Sequence, residues 1–164
     1  MRDIVLTPDL RVQLTLARKT DIDEIEDIEH RAYPFPWTRK VLLEEIEGES
    51  FSYVYVARLV AKPGQSGKII GYHFFWLVSD EIHILNIAVD PEYQGYGLGT
   101  RLMQFAINFG KERGATCALL EVRVSNLLAQ QLYAKLGFKR IGLRKRYYSD
   151  NKEDAYVMKL QISE

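Results

Sequence analysis

One cysteine, Cys117, stands in 164 residues. A lone cysteine excludes an internal disulfide and a zinc cage built on cysteines. With no histidine beside it in sequence, it reads as a buried inert thiol rather than an acyl-carrying nucleophile. The three histidines, His30, His73 and His83, are scattered singly without H-x-x-x-H spacing, so no metal site is expected. No apolar run approaches the roughly 18 residues of a membrane span, and the opening MRDIVLTPDLR lacks the apolar core of an export signal. The expectation is a cytoplasmic protein with no membrane partner. Net charge is also absent: 22 basic residues meet 22 acidic ones, so no global field advertises nucleic acid.

The length fits one core and one domain spanning 1–164, with no repeat, low-complexity stretch or linker. Charge is distributed unevenly along it. Residues 1–100 carry 10 Lys and Arg against 16 Asp and Glu, and residues 101–164 carry 12 against 6. A solvated basic face explains the second half, and a local anion site would also draw on it.

Periodicity gives the elements. Val12 to Leu16 alternates as a half-buried strand, and Thr20 to Ala32 sets Ile22, Ile25, Ile28 and Ala32 at helical spacing behind Thr20 or Asp21 as N-cap. The prolines of YPFPWT end that helix, and Thr38 can cap a second through Glu47. Phe51 to Val60 and Ile69 to Val78 form a hairpin across AKPGQSGK, followed by a strand from Ile82 to Val89. Leu98 to Arg113 is a helix with Leu102, Phe105, Ala106 and Phe109 on one face. Cys117 to Val124 is a strand, Ser125 can cap a helix through Leu136, and two strands, Phe138 to Gly142 and Ala155 to Leu160, finish the chain. The result is an α/β fold of about seven strands and four helices.

The loop DPEYQGYGLGTRL stands between a strand and a helix. It has no G-x-x-x-x-G-K-[ST], which excludes P-loop chemistry, and its Gly95, Gly97 and Gly99 follow G-x-G-x-G rather than the dinucleotide spacing. Glycines that let the backbone approach a ligand, running into a helix start, suit a pyrophosphate; they also suit a plain strand-to-helix turn.

The flanks add to this reading. LNIAVDPEYQGYGLGTRL, followed by LLEVRVSNLLAQQLYAKLGF, resembles the two central motifs of the GNAT superfamily of N-acetyltransferases, whose phosphate loop is Q/R-x-x-G-x-G/A, here Gln94 to Gly99. Phe35-Pro36-Trp37, Asn86 to Pro91, Leu120 to Arg123 with Ser125-Asn126, Leu132-Tyr133 with Leu136 to Phe138, and Arg144 with Tyr147-Tyr148, Glu153 to Ala155 and Met158 narrow the resemblance to the RimI branch. That branch acetylates the N-terminal alanine of a small-subunit ribosomal protein. Relative to its compact members the turn AKPGQSGK is an insertion, and Ser149 follows Tyr147-Tyr148 where proline is usual.

The resemblance implies a GNAT fold, acetyl-CoA as cosubstrate, no metal, and a protein N-terminus as acceptor. It places the backbone of Ile87, Ala88 and Val89 along the pantetheine arm, the Val89 N–H at the thioester oxygen, and Gly95, Tyr96, Gly97, Leu98, Gly99 and Thr100 at the pyrophosphate. Asn126 would hydrogen-bond the cofactor, although by position alone it is a second capping candidate. Glu121 would be the general base and Tyr133 the general acid toward the CoA sulfur. Read from the strand alone, Glu121 is a solvent-facing carboxylate, and Tyr133 alone is a core or boundary aromatic. Phe35 to Trp37, Tyr147 and Tyr148 would flank the peptide. Transfer to a small amine or lysine, and a non-catalytic acyl-CoA module, are the competing functions.

Overall fold

The computed structural model describes residues 2–60 and 67–163. It contains eight strands and four α-helices: β1 (Arg2–Thr7), β2 (Leu10–Leu16), α1 (Ile22–Ala32), α2 (Arg39–Ile46), β3 (Ser52–Leu59), β4 (Ile69–Val78), β5 (Glu81–Val89), α3 (Leu98–Glu112), β6 (Cys117–Arg123), α4 (Leu127–Lys135), β7 (Lys139–Arg144) and β8 (Ala155–Gln161). The chain divides into two compact units, residues 1–75 with 86–104 and residues 76–85 with 105–164, so β4, β5 and α3 contribute to both.

In the first unit the strands run in the order β1-β2-β3-β4-β5. The β1–β2 and β2–β3 pairs are antiparallel, with Ile4 opposite Val12 and Leu14 opposite Ala57. Val12, Leu14, Ile25, Ile28, Leu42 and Val56 are buried, which explains the period of 3.6 in α1 and of 2 in β2. Central β4 is buried over its first seven residues, so it reads as a continuous apolar run rather than an alternation. Asp21 stands at the N-cap of α1, one of the two positions expected, at the end of a short 3-10 turn over Lys19–Asp21. The Asp21 carboxylate accepts from the Arg18 N–H at 2.8 Å and from Arg58 at 2.5 Å instead of capping. Thr38 caps α2 as expected, its Oγ1 accepting from the Val41 N–H at 3.2 Å.

In the second unit the order is β4-β5-β6-β8-β7. Glu81 to Ile84 of β5 pair in parallel with Cys117 to Leu120 of β6, which makes the sheet mixed, and β6–β8 and β7–β8 are antiparallel. Ala106, Ala118, Leu120, Val122, Phe138 and Met158 are buried.

The expected mixed α/β architecture is borne out, and the described residues hold eight strands, one more than those read from the sequence. The strand missed by the sequence is β1, whose only buried side chain is Ile4; it exists through its ladder with β2 rather than through an apolar pattern. The cap expected from Ser125 is supplied by Asn126, whose side-chain oxygen accepts from the Ala129 N–H at 3.1 Å, while the Ser125 N–H goes to Glu153 Oε2 at 2.9 Å. Residues 61–66 of the expected turn AKPGQSGK lie outside the described residues. Among the described residues no helix is long and apolar enough to cross a membrane.

Candidate functional site

The sequence-predicted residues fall into two sets, one in each unit. In the first set, the direction of the β5 backbone follows from one bond. The Asp90 N–H donates to the Ile70 carbonyl at 2.8 Å, on the β4 side. Because successive residues of a strand turn their N–H and C=O to opposite edges, Ala88 also faces β4, and Ile87 and Val89 face the other edge. An ideal Cβ on Gly71 of β4 would lie 3.0 Å from the Ala88 carbonyl oxygen, in keeping with this assignment. On the outward edge, the Ile87 carbonyl accepts from the Tyr33 hydroxyl and the Val89 carbonyl from Gln94 Nε2 at 3.2 Å.

The loop after β5 is held at its root by Asp90. This carboxylate is fully buried, takes both Arg31 guanidinium nitrogens at 2.8 and 2.9 Å, and accepts the Glu92 N–H at 2.9 Å. Arg31 holds the Asp90 carboxyl below the usual carboxylate range. Gly95 and Gly97 sit at φ +90° and +85°, the left-handed region that side chains resist, and an added Cβ at either would meet nothing within 4 Å. Their backbone is therefore chosen for shape and lies open. The Arg101 N–H bonds the Gly97 carbonyl at 3.1 Å, so the N–H groups of Leu98, Gly99 and Thr100 are those a helix start leaves without intrahelical partners. Three such donors and the helix dipole fit an anion. Leu98 is 1% exposed and its side chain serves the core, so only its backbone can take part; Tyr96 is half-exposed.

In the second set, Glu121 lies on β6, opposite Val157 of β8, with 29% of its side chain exposed. It is neither the fully solvated carboxylate of an alternating strand nor a buried one. Its cationic neighbour is Arg144, Nε to Oε1 3.5 Å. Tyr133 on α4 is buried, its ring 5.9 Å from that of Phe138, and burial pushes its hydroxyl up to about 12. At neutral pH that hydroxyl keeps its proton. Asn126 spends its Oδ1 on the α4 cap, which leaves its amide N–H groups as what it can offer a ligand.

Sequence reading missed the clamp on the last loop. Arg123, one strand residue beyond Val122, binds Asp150 at 2.6 Å and Glu153 at 3.3 Å and lies 3.9 Å over the Tyr148 ring. Tyr147 and Tyr148 thus belong to a segment tied back to β6, and burial raises the Tyr148 hydroxyl above the ordinary tyrosine value. Cys117 is buried, its thiol raised by burial, consistent with the inert reading.

With this geometry in place, comparison with known proteins assigns the class. The model of the acetyltransferase (GNAT) family matches residues 22–138. The chain belongs to that family and is an acetyl-CoA-dependent N-acetyltransferase. A relative from Bacillus subtilis, named as a putative ribosomal protein bS18-alanine N-acetyltransferase, is 40% identical over 147 residues, 90% of this chain and 93% of its own. The ribosomal protein bS18-alanine N-acetyltransferase of Escherichia coli K12 is 38% identical over 146 residues, 88% of this chain and 93% of its own. The crystal structure of the ribosomal-protein-S18-alanine N-acetyltransferase from Escherichia coli superposes with a TM-score of 0.79 at 34% identity, covering 93% of this chain and 95% of that one. These relatives are of the branch that the sequence motifs resemble.

Proposed function

We propose that the chain, acting as one catalytic domain in the cytoplasm, transfers the acetyl group of acetyl-CoA to the α-amine of a protein N-terminus. The acceptor is the N-terminal alanine of ribosomal protein bS18. The observation that carries this reading is the likeness over nearly the full length of both chains to enzymes bearing that name. The class of amine agrees with it, since an α-amino group titrates near 8 and about a tenth is neutral at pH 7, whereas a lysine side chain near 10.4 is almost wholly charged.

Acetyl-CoA supplies an activated acyl group on a thiol leaving group. The chain's residues divide the remaining work. The open backbone at Gly95 and Gly97 and the N–H groups of Leu98, Gly99 and Thr100 hold the pyrophosphate, with Tyr96 exposed beside them. The outward edge formed by Ile87 and Val89, with Ala88 turned to β4, lies along the pantetheine arm as an added strand would, and the Val89 N–H stabilises the carbonyl oxygen as it gains charge. Asn126 donates to the cofactor through its amide. Glu121 takes one proton from the α-ammonium, directly or through one water, and the neutral amine attacks the thioester carbon to form the C–N bond. The nitrogen then loses its second proton to solvent, and the C–S bond breaks as Tyr133 gives its proton to the departing sulfur. After release Glu121 gives its proton to solvent and Tyr133 takes one back.

A thiol-release assay tests this: peptide with the bS18 N-terminal sequence should drive CoA release, and the same peptide with a blocked α-amine should not.

A further inference from the structure

Glu29 occupies α1 at a helical position whose side chain is 1% exposed, and its carboxylate collects three donors from three separate stretches of chain. Oε1 accepts the Tyr72 hydroxyl of β4 at 2.5 Å and the Asn86 amide of β5 at 2.8 Å. Oε2 accepts the backbone N–H of Trp37, in the connection between α1 and α2, at 2.8 Å. One oxygen is bonded to the sheet and the other to the connection. A loop N–H ordinarily faces water; this one faces a buried acceptor, and a carboxylate is costly in a core unless its oxygens are bonded. The connection is further located by the Trp37 ring, edge-on to Phe74 with centroids 5.6 Å apart, and by Tyr33, whose hydroxyl reaches the Ile87 carbonyl on the outward edge of β5. The segment from Tyr33 to Trp37 therefore borders the strand assigned above to the thioester, and Phe35 is 41% exposed there.

We propose that Glu29 is a positioning residue for the acceptor: through the Trp37 N–H it sets the Phe35 to Trp37 segment against β5, and so governs the KM for the peptide. The proposal rests on the reading that the chain acetylates protein N-termini. Glu29→Gln separates the two oxygens. The amide keeps one acceptor, two donors from Tyr72 and Asn86 outweigh one from Trp37, and the glutamine nitrogen then faces the Trp37 N–H, donor to donor. The expected result is an acceptor KM raised about tenfold or more, the order expected when one buried donor loses its partner, with kcat and the Kd for acetyl-CoA nearly unchanged. Tyr72→Phe removes a sheet-side bond instead and should lower the melting temperature while leaving the acceptor KM at the wild-type value. The proposal is overturned if Glu29→Gln retains the wild-type KM, or if Tyr72→Phe raises KM as much. Hydrogen exchange on the wild-type chain gives a second test that needs no variant to fold and no acceptor. The Trp37 amide should exchange as slowly as the β5 amides, and exchange at the rate of exposed turn amides would overturn the proposal. A wild-type chain inactive on every peptide counts against the functional reading, whereas peptide activity with an unchanged KM in Glu29→Gln counts against Glu29 alone.

Discussion

The guanidinium of Arg31 grips the carboxylate of Asp90 through two parallel hydrogen bonds of 2.8 and 2.9 Å, joining α1 to the root of the glycine loop. Asp90 is fully buried, while the Arg31 side chain is 38% exposed. Arg31→Met should destabilise the chain by about 3 kcal/mol, because a buried carboxylate loses its partner, and should weaken acetyl-CoA binding by loosening the loop. Urea unfolding and calorimetric titration read the two effects. Asp90 is held below its ordinary range in the fold, so its contribution to stability is present above the unfolded value near 4 and is lost as pH falls below it.

A second acid-labile group is His73. It is fully buried, its Nδ1 lies 3.1 Å from the Leu102 carbonyl and so carries the proton it donates, and its Nε2 has no partner among the described residues. Burial lowers it to about 4 from an ordinary 6.5. The folded state then binds fewer protons than the unfolded one between those values, so stability should fall as pH drops from 6.5 to 4, by up to about 3 kcal/mol. His73→Leu, if folded, should flatten that limb; an unchanged limb would show that His73 does not cause it.

Gly97→Ala puts a methyl group on a residue at φ +85° without any steric neighbour. The cost is conformational, about 1 to 2 kcal/mol. The chain should stay folded, and if it relieves the strain by turning the loop N–H groups, the Kd for acetyl-CoA should rise about tenfold. Circular dichroism with a binding titration checks both parts.

Glu121→Gln should lower kcat by about 10²- to 10⁴-fold with little change in acetyl-CoA binding, as expected for loss of a general base. Tyr133→Phe should cost less, since a thiol near pKa 8.5 already leaves readily, and should keep its packing against Phe138. Because the Tyr133 hydroxyl stays protonated until about 12, the ratio of wild-type to Tyr133→Phe kcat should remain constant from neutral pH to about 10. A ratio that falls to one within that range would show the hydroxyl ionising early.

What could be read from the sequence follows a physical line. Elements with a buried face, such as α1 with Ile25 and Ile28 or α3 with Leu102 and Ala106, announce themselves by period. The β1 strand does not, because a single buried side chain leaves no period to read. Gly95, Gly97 and Gly99 read equally as an anion cradle or a strand-to-helix turn; Gly95 and Gly97 take positive φ, whereas Gly99 lies inside α3. Glu29 in isolation is one more acid on an acidic helix; its burial depends on Trp37, Tyr72 and Asn86, up to 57 residues away. Ser125 reads as the cap of α4 with Asn126 as a second candidate; Asn126 makes the capping bond, and the Ser125 N–H goes to Glu153, 28 residues away. Local chemistry was legible where it acts locally, and partnerships across the chain were not.

The most direct test of the central claim is a panel of peptides differing in their first residue, incubated with the chain and acetyl-CoA and read by mass spectrometry with fragmentation. The expected product carries one acetyl group on the α-amine, with alanine-initiated bS18 peptide preferred. Acetylation confined to lysine side chains or to a small polyamine, with none on any N-terminus, would contradict it.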